Sequence, residues 1–219
     1  MVDLLENLCK KNEIQINRTQ LEKFECYYNF LIEYNKNVNL TSITSKEGVC
    51  IKHFLDSIIV AKFINLKGKL IDIGTGAGFP GVPLKIMDDQ LDVTLLDSSK
   101  KKIRFLELLK ERLDINVKLL NFRTNEVPKE YLRSYDFSIA RAVAPMFKLY
   151  DFCMPFVKSN GYFIAMKGPS YEEEINNPKF KHSKMSEVCK FSYENNTRVI
   201  IKIKNLPKNL TKRWSLNII

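Results

Sequence analysis

The chain has 219 residues, enough to bury a substantial core as one domain or as one domain with a small extension. Apolar residues make up 45% and charged residues 27%, no apolar run reaches the roughly 18–20 residues needed to cross a bilayer, and Met1-Val-Asp-Leu-Leu-Glu carries no basic leader, so a cytoplasmic globular protein is expected. The 35 basic against 25 acidic residues leave a net charge of +10, which suits a polyanionic partner such as nucleic acid, although lysine enrichment from a low-GC genome produces the same excess.

The five cysteines (Cys9, Cys26, Cys50, Cys153, Cys189) are scattered and form no C-x-x-C pair, and the only histidines are His53 and His182. Neither a disulfide framework nor a metal site is expected.

The first third reads as helical. Thr19-Gln-Leu-Glu22 matches a capping box, and Leu21, Phe24, Tyr28, Leu31 and Ile32 recur at helical spacing until about residue 35. A second helix is expected over 46–63, where Val49, Phe54, Ile58 and Ala61 share a face, and Gly68 ends the section. From residue 69 the period changes. Strands are expected at 69–73, 93–97, 116–120, 137–141 and 161–167, with helices at 82–87, 99–113, 145–157 and 171–176 between them. Beyond Pro178, segments 188–193 and 197–204 flank Glu194-Asn-Asn196 and predict a terminal antiparallel hairpin.

This pattern predicts an α/β fold. Five parallel strands plus a late hairpin match the Rossmann-like, seven-stranded mixed sheet of class I AdoMet-dependent methyltransferases better than a six-stranded dinucleotide fold. Residues 1–67 then form a helical amino-terminal cap and residues 68–219 the cofactor-binding domain.

Asp72-Ile-Gly74-Thr-Gly76-Ala-Gly78-Phe-Pro-Gly81 places four of the eight glycines directly after an apolar strand. Such a loop brings backbone N–H groups close to a ligand with no side chains in the way. Gly76-Ala-Gly78-Phe-Pro-Gly81 fits the dinucleotide pattern G-x-G-x-x-G, Asp72-x-Gly74-x-Gly76-x-Gly78 fits the pattern of S-adenosyl-L-methionine sites, and a mere tight turn is the plain alternative. Asp72 discriminates between the cofactors: a carboxylate repels a pyrophosphate and suits a sulfonium. Asp97, ending the second strand, can accept hydrogen bonds from ribose hydroxyls or cap the following helix.

The fourth strand ends at Arg141-Ala-Val-Ala-Pro145, with no Asn/Asp-Pro-Pro-Tyr motif for exocyclic amines and no Pro-Cys nucleophile. Cys153 falls within the next helix. Arg141 can bind phosphate, stack on a base, reach a guanine edge or simply form an ion pair. A site that offers neither base nor nucleophile suits an acceptor with its own lone pair, such as guanine N7, with catalysis by alignment.

Together these residues resemble the RsmG (GidB) family of bacterial 16S rRNA methyltransferases over about residues 21–169. Tyr34-Asn-Lys-Asn-Val-Asn39-Leu-Thr41-Ser-Ile43 is similar to the family's W-N-x-x-x-N-L-T-x-I segment, with tyrosine for tryptophan. His53-Phe-Leu-Asp56-Ser57, the loop through Phe79-Pro80-Gly81, Asp97-Ser98 with Lys101-Lys102 and Phe105-Leu106, Arg141-Ala-Val-Ala144 and Lys167-Gly168 follow in order. The resemblance implies methylation of a guanine N7 in the 530 loop of 16S rRNA, within the small ribosomal subunit; a monomer is expected. Carried over by position, the cofactor contacts are Gly74, Phe79, Thr124, Asn125 and Arg141. Asp97 takes the ribose, and Asp72, Gly76 and Gly78 complete the loop.

Asn125 stands where the family shows the first of two acidic residues, and its amide oxygen can still accept from an amino group. No residue is assigned a catalytic role beyond substrate positioning by Arg141. His53 and Asp56, one helical turn apart, belong either to the site mouth or to a core pair. Lys100, Lys101, Lys102 and Arg104 form either an RNA contact or a solvated helix face. Lys212, Arg213 and Trp214 replace the family's usual carboxyl terminus and keep basic charge and an aromatic. Two other readings stay open: an NAD(P)-dependent oxidoreductase, which lacks a Ser/Tyr/Lys or His relay here, and a non-catalytic basic RNA-binding protein.

Overall fold

The computed structural model describes residues 1–180, 186–194 and 196–206. The tail residues Lys212, Arg213 and Trp214, and His182, lie outside the described residues. Among the described residues, no helix is long and apolar enough to cross a membrane.

Strands β1 (Lys69–Ile73), β2 (Asp92–Leu96), β3 (Val117–Leu120), β4 (Tyr135–Arg141) and β5 (Val157–Lys167) run parallel. β6 (Ser186–Tyr193) and β7 (Asn196–Lys204) form the terminal hairpin, and β7 pairs antiparallel with β5. The sheet order is β3-β2-β1-β4-β5-β7-β6, the seven-stranded mixed sheet expected from the sequence. Order reverses between β1 and β4, and that reversal opens the crevice in which ligands of such sheets bind.

Each face of the sheet buries its own apolar set. On one face, helices α1 (Val2–Lys11), α2 (Arg18–Asn35), α6 (Gly81–Met87) and α7 (Lys100–Arg112) pack with the segment between residues 46 and 63. This core joins Phe24, Phe30 and Leu31 to Phe105, Leu106, Ile139 and Met166. The other face carries α8 (Met146–Cys153) and α9 (Tyr171–Ile175) over Ile73, Ala140, Ala165 and Ile201.

Several boundaries differ from expectation. The capping box of α2 is Asn17–Gln20, two residues earlier than Thr19–Glu22: Asn17 Oδ1 accepts from Gln20 N at 2.9 Å, and Gln20 Oε1 accepts from Asn17 N at 2.9 Å. Asn17 is the residue whose backbone is extended, as an N-cap requires. Helix α1, which the sequence pattern did not bring out, buries Val2, Leu5, Leu8 and Cys9 along one stripe.

The helix expected over 145–157 is shorter. Pro155 cannot donate a backbone hydrogen bond, so α8 gives way to a 3₁₀ turn at Met154–Phe156 and β5 starts at Val157. A bulge between the Tyr135–Val157 and Phe137–Tyr162 pairs absorbs the extra residues of β5.

The segment expected as one helix over 46–63 runs through α3 (Lys46–Val49), a π-helical stretch at Cys50–Leu55, α4 (Asp56–Ile58) and α5 (Val60–Phe63). Wide π turns re-aim the side chains they carry. Here they are His53 and, just beyond, Asp56.

Candidate functional site

The loop after β1 is built from beneath. Asp72 is fully buried, and its Oδ2 accepts from Thr75 Oγ1 at 2.6 Å and from Gly81 N at 2.8 Å, which ties both ends of the loop to the strand. Its Oδ1 is buried and has no hydrogen-bond partner among the described residues. Burial pushes the carboxyl up to about 6, against the opposing hydrogen bonds from Thr75 and Gly81.

The helical cap grips the loop from its far side. Gly78 has φ +102°, and a Cβ there would stand 2.8 Å from the Tyr27 hydroxyl. That hydroxyl donates to Ala77 O, and the Phe79 ring stacks between Tyr27 (5.2 Å) and His53 (4.4 Å).

Two cavities open at the carboxyl edge of the sheet. The first, about 530 Å³, is lined by Gly74, Asp97, Ser98, Lys102, Phe122, Thr124, Asn125, Ala142 and Val143. Asp97 is 7% exposed; its Oδ2 accepts from Gly76 N at 3.0 Å and its Oδ1 from Ser99 N at 2.9 Å, with Lys102 Nζ 3.5 Å away. One carboxylate therefore holds the glycine loop, turns the chain into α7 and still faces the cavity with unused lone pairs. At Gly74 (φ +67°) a Cβ would run to 2.8 Å from Val143, so only glycine lets the loop pass the end of β4.

The second cavity, about 590 Å³, shares Ala142 and Val143 with the first and adds Lys52, His53, Asp56, Arg141, Lys167, Glu174 and Arg198. Arg141 donates to Asp56 Oδ2 at 2.8 Å and to Lys52 O at 2.9 Å, and Arg198 Nε donates to Asp56 Oδ1 at 2.8 Å. The Tyr193 hydroxyl also donates to Asp56. Asp56 is only 3% exposed, so two arginines and a phenol satisfy a buried carboxylate.

Arg141 Nη2 lies 3.2 Å from His53 Nδ1, and a guanidinium can only donate, so Nδ1 accepts and the imidazole proton sits on Nε2. That proton points at Thr41 Oγ1, 2.8 Å away. Burial, followed by the charge of Arg141, lowers His53 to about 4, which leaves it neutral at pH 7. Asn35 sets Thr41 in place by accepting from Leu40 N (2.7 Å) and Thr41 N (3.0 Å) while donating to Thr41 O. The N-L-T and H-x-x-D segments are thus one hydrogen-bonded unit.

A family model described as rRNA small subunit methyltransferase G matches residues 20–201. The chain belongs to this family. A Ribosomal RNA small subunit methyltransferase G from Thermoanaerobacter sp. (strain X514) is 48% identical over 80% of this chain and 75% of its own length. One from Clostridium botulinum (strain Alaska E43 / Type E3) is 40% identical over 96% and 97%. Among solved structures, a SAM dependent methyltransferase from Aquifex aeolicus superposes with a TM-score of 0.53 at 19% identity, over 71% of this chain and 92% of that one. The PH0226 protein from Pyrococcus horikoshii OT3 superposes with a TM-score of 0.55 at 16% identity, over 78% and 98%. These two share the fold. Membership of a methyltransferase family sets aside the oxidoreductase alternative.

The predicted site residues divide by position. Gly74, Asp97, Thr124 and Asn125 come together in the first cavity, and Arg141 stands in the second. Asp72, Gly76, Gly78 and Phe79 line neither cavity and shape the loop instead. The first cavity suits the adenosyl half of S-adenosylmethionine: a carboxylate beside a glycine turn matches a ribose diol, whereas Asp97 and the buried Asp72 would both repel a pyrophosphate.

The Lys102 partner of Asp97, and Glu174 and Arg198, were not legible from the sequence. Lys167 was legible only as part of a matched Lys-Gly pair. Of the basic cluster on α7, Lys102 pairs with Asp97 and Arg104 with Glu107 at 2.9 Å, while Lys100 and Lys101 are exposed.

Proposed function

We propose that this chain transfers a methyl group from S-adenosyl-L-methionine to a guanine N7 in the 530 loop of 16S rRNA, within the small ribosomal subunit. The observation that carries this reading is the meeting of two cavities at Ala142–Val143, one fitted to an adenosyl group and one walled by cations. In it, Asp97 accepts from the ribose hydroxyls, Thr124 and Asn125 face the adenine, and the backbone at Gly74 passes beside the ligand while Gly76 N holds Asp97 in place. Asp72, Gly78 and Phe79 hold the loop in that shape from behind. Asp72 also contributes the field of a carboxylate without touching the cofactor.

S-adenosylmethionine, when bound, supplies an electrophilic methyl group, and its transfer to a purine N7 leaves the S–C electron pair on sulfur and moves the positive charge onto the purine. Guanine N7 carries a lone pair and no proton, so the protein need not supply a base. His53, neutral and hydrogen-bonded on both nitrogens, is fixed as a scaffold and takes no proton. Arg141 and Arg198 together carry one more charge than Asp56 neutralises, and Lys52 at the rim is exposed, which draws in a phosphate-bearing strand. Alignment of acceptor and donor supplies the catalysis. The division at residue 67/68 into cap and cofactor-binding domain, a monomeric state and a cytoplasmic location belong to the same reading.

Small subunits from cells lacking this gene, incubated with the protein and methyl-labelled S-adenosylmethionine, should gain one 7-methylguanosine in the 530 loop. Binding of the cofactor with no methyl transfer to subunits or to naked rRNA would instead favour a non-catalytic RNA-binding protein.

A further inference from the structure

Resting on the reading of the second cavity as the acceptor site, we propose that Glu174 recognises the Watson–Crick edge of the target guanine. The cavity straddles the sheet, and side chains alternate faces along a strand. Met166, paired with Arg141, belongs to the core under the cap, as does Ile200, two residues from Arg198. Ala165 and Val199 belong to the opposite core, and Lys167 follows Ala165 on that face. Arg141 and Arg198 therefore reach the cavity from one face of the sheet, and Lys167 with Glu174 from the other.

Glu174 is held as a reader should be. Its Oε2 accepts from Met146 N and from Lys167 Nζ, both at 2.7 Å, which anchors that oxygen. Its Oε1 takes no hydrogen bond from the described residues, the side chain is 26% exposed, and the residue lines the cavity. Anchoring one oxygen and leaving the other open makes a preorganised acceptor.

Guanine presents N1–H and N2–H side by side, two donors for the one open carboxylate oxygen. Adenine presents an acceptor at N1, and a carboxylate rejects it. N7 lies on the far side of the purine from that edge, so a base held by Glu174 presents N7 away from the carboxylate, within a cavity that also reaches the junction at Ala142–Val143. Methylation at N7 makes the purine cationic and its N1–H more acidic, so the hydrogen bond to Glu174 strengthens as the methyl group arrives. An interaction that grows toward the transition state raises kcat rather than affinity alone.

The test is Glu174→Gln. The amide oxygen keeps the acceptor for Met146 N and Lys167, and the amide nitrogen puts a donor where the base offers donors. With small subunits as substrate, kcat/KM should fall by about 10- to 100-fold, mostly in kcat. The thermal midpoint and the S-adenosylmethionine dissociation constant should stay near wild type, and Glu174→Asp should recover part of the rate.

Subunits rebuilt with inosine at the target, which lacks the N2 amino group, provide a second readout: the wild type should lose rate on inosine and E174Q should lose little more. Wild-type kcat/KM in E174Q, or equal losses on inosine in both proteins, overturns the role of Glu174 alone. Loss of rate in E174Q that follows a fall in thermal midpoint assigns Glu174 to capping α8 and overturns it too. Absence of N7 methylation by the wild type overturns the acceptor-site reading and the Glu174 role together.

Discussion

The cavity beside Asp97 and the cavity beside Arg141 meet at the same two residues yet assemble their charges differently. Asp97, Ser98, Ser99 and Lys102 come from a single strand-to-helix turn, and the bonds of Asp97 go to backbone N–H groups within that turn and the adjoining loop. In the other cavity Asp56, Arg141 and Arg198 come from three separate segments and satisfy each other, while Glu174 pairs with Lys167 from the other face of the sheet. A charge set held by local backbone survives local change. One held by distant partners depends on every element that brings them together.

The largest break should come at Asp56. Replacing it by alanine leaves two arginines facing each other in a partly buried site and removes the acceptor of Tyr193, so Asp56→Ala should destabilise by about 3–5 kcal/mol in urea unfolding. A loss below about 1 kcal/mol would mean that the cluster is no tighter than a surface pair.

Asp72 comes next and acts through pH. Its folded pKa of about 6 lies above the unfolded 3.8, so the fold favours the neutral acid. The stability it contributes is fully present below about pH 4 and is lost as pH rises through about 6, an effect on the order of 3 kcal/mol. Asp72→Asn keeps an oxygen for Thr75 and Gly81, should flatten that part of the stability profile, and should be no less stable at pH 7. An unchanged profile between pH 4 and 7 would show that Asp72 is ionised throughout.

Asp97→Ala should weaken S-adenosylmethionine by about 1–3 kcal/mol in calorimetry, because the ribose loses a charged acceptor. An unchanged dissociation constant would leave Asp97 only the structural role of holding Gly76 N and Ser99 N. The smallest effect belongs to the seam between cap and loop: Tyr27→Phe removes one buried donor to Ala77 O and should cost about 0.5–1.5 kcal/mol by thermal unfolding, with cofactor affinity nearly unchanged.

Much of the fold was legible because its signals are local. Short apolar runs alternating with helical spacing placed all five parallel strands, and the turn at Glu194 marked the hairpin. The α2 cap was misplaced because Asn17, Thr19 and their following Gln20 and Glu22 offer two overlapping boxes, and only the backbone decides which asparagine or threonine is extended. The early start of β5 was hidden by Pro155 and a bulge.

In the site, the glycine loop and Asp97 were readable from spacing. By sequence His53 and Asp56 fit either a site mouth or a core pair; in the structure they line the second cavity and are bonded to Arg141. Asp72, expected beside the cofactor, is buried beneath the loop and tied to Thr75 and Gly81. Phe79, expected as a cofactor contact, has its ring in the aromatic stack with Tyr27 and His53.

By itself the sequence determined the order of the strands, the cofactor loop and the acid at the end of β2, since each is a short local pattern whose physics is hydrogen bonding and burial along one segment. Tertiary structure alone decided which charges face which. Arg198 meets Asp56 across 142 residues and Arg141 meets it across 85, and no periodicity records a partner that only the docking of the cap and the hairpin onto the sheet brings within hydrogen-bond reach.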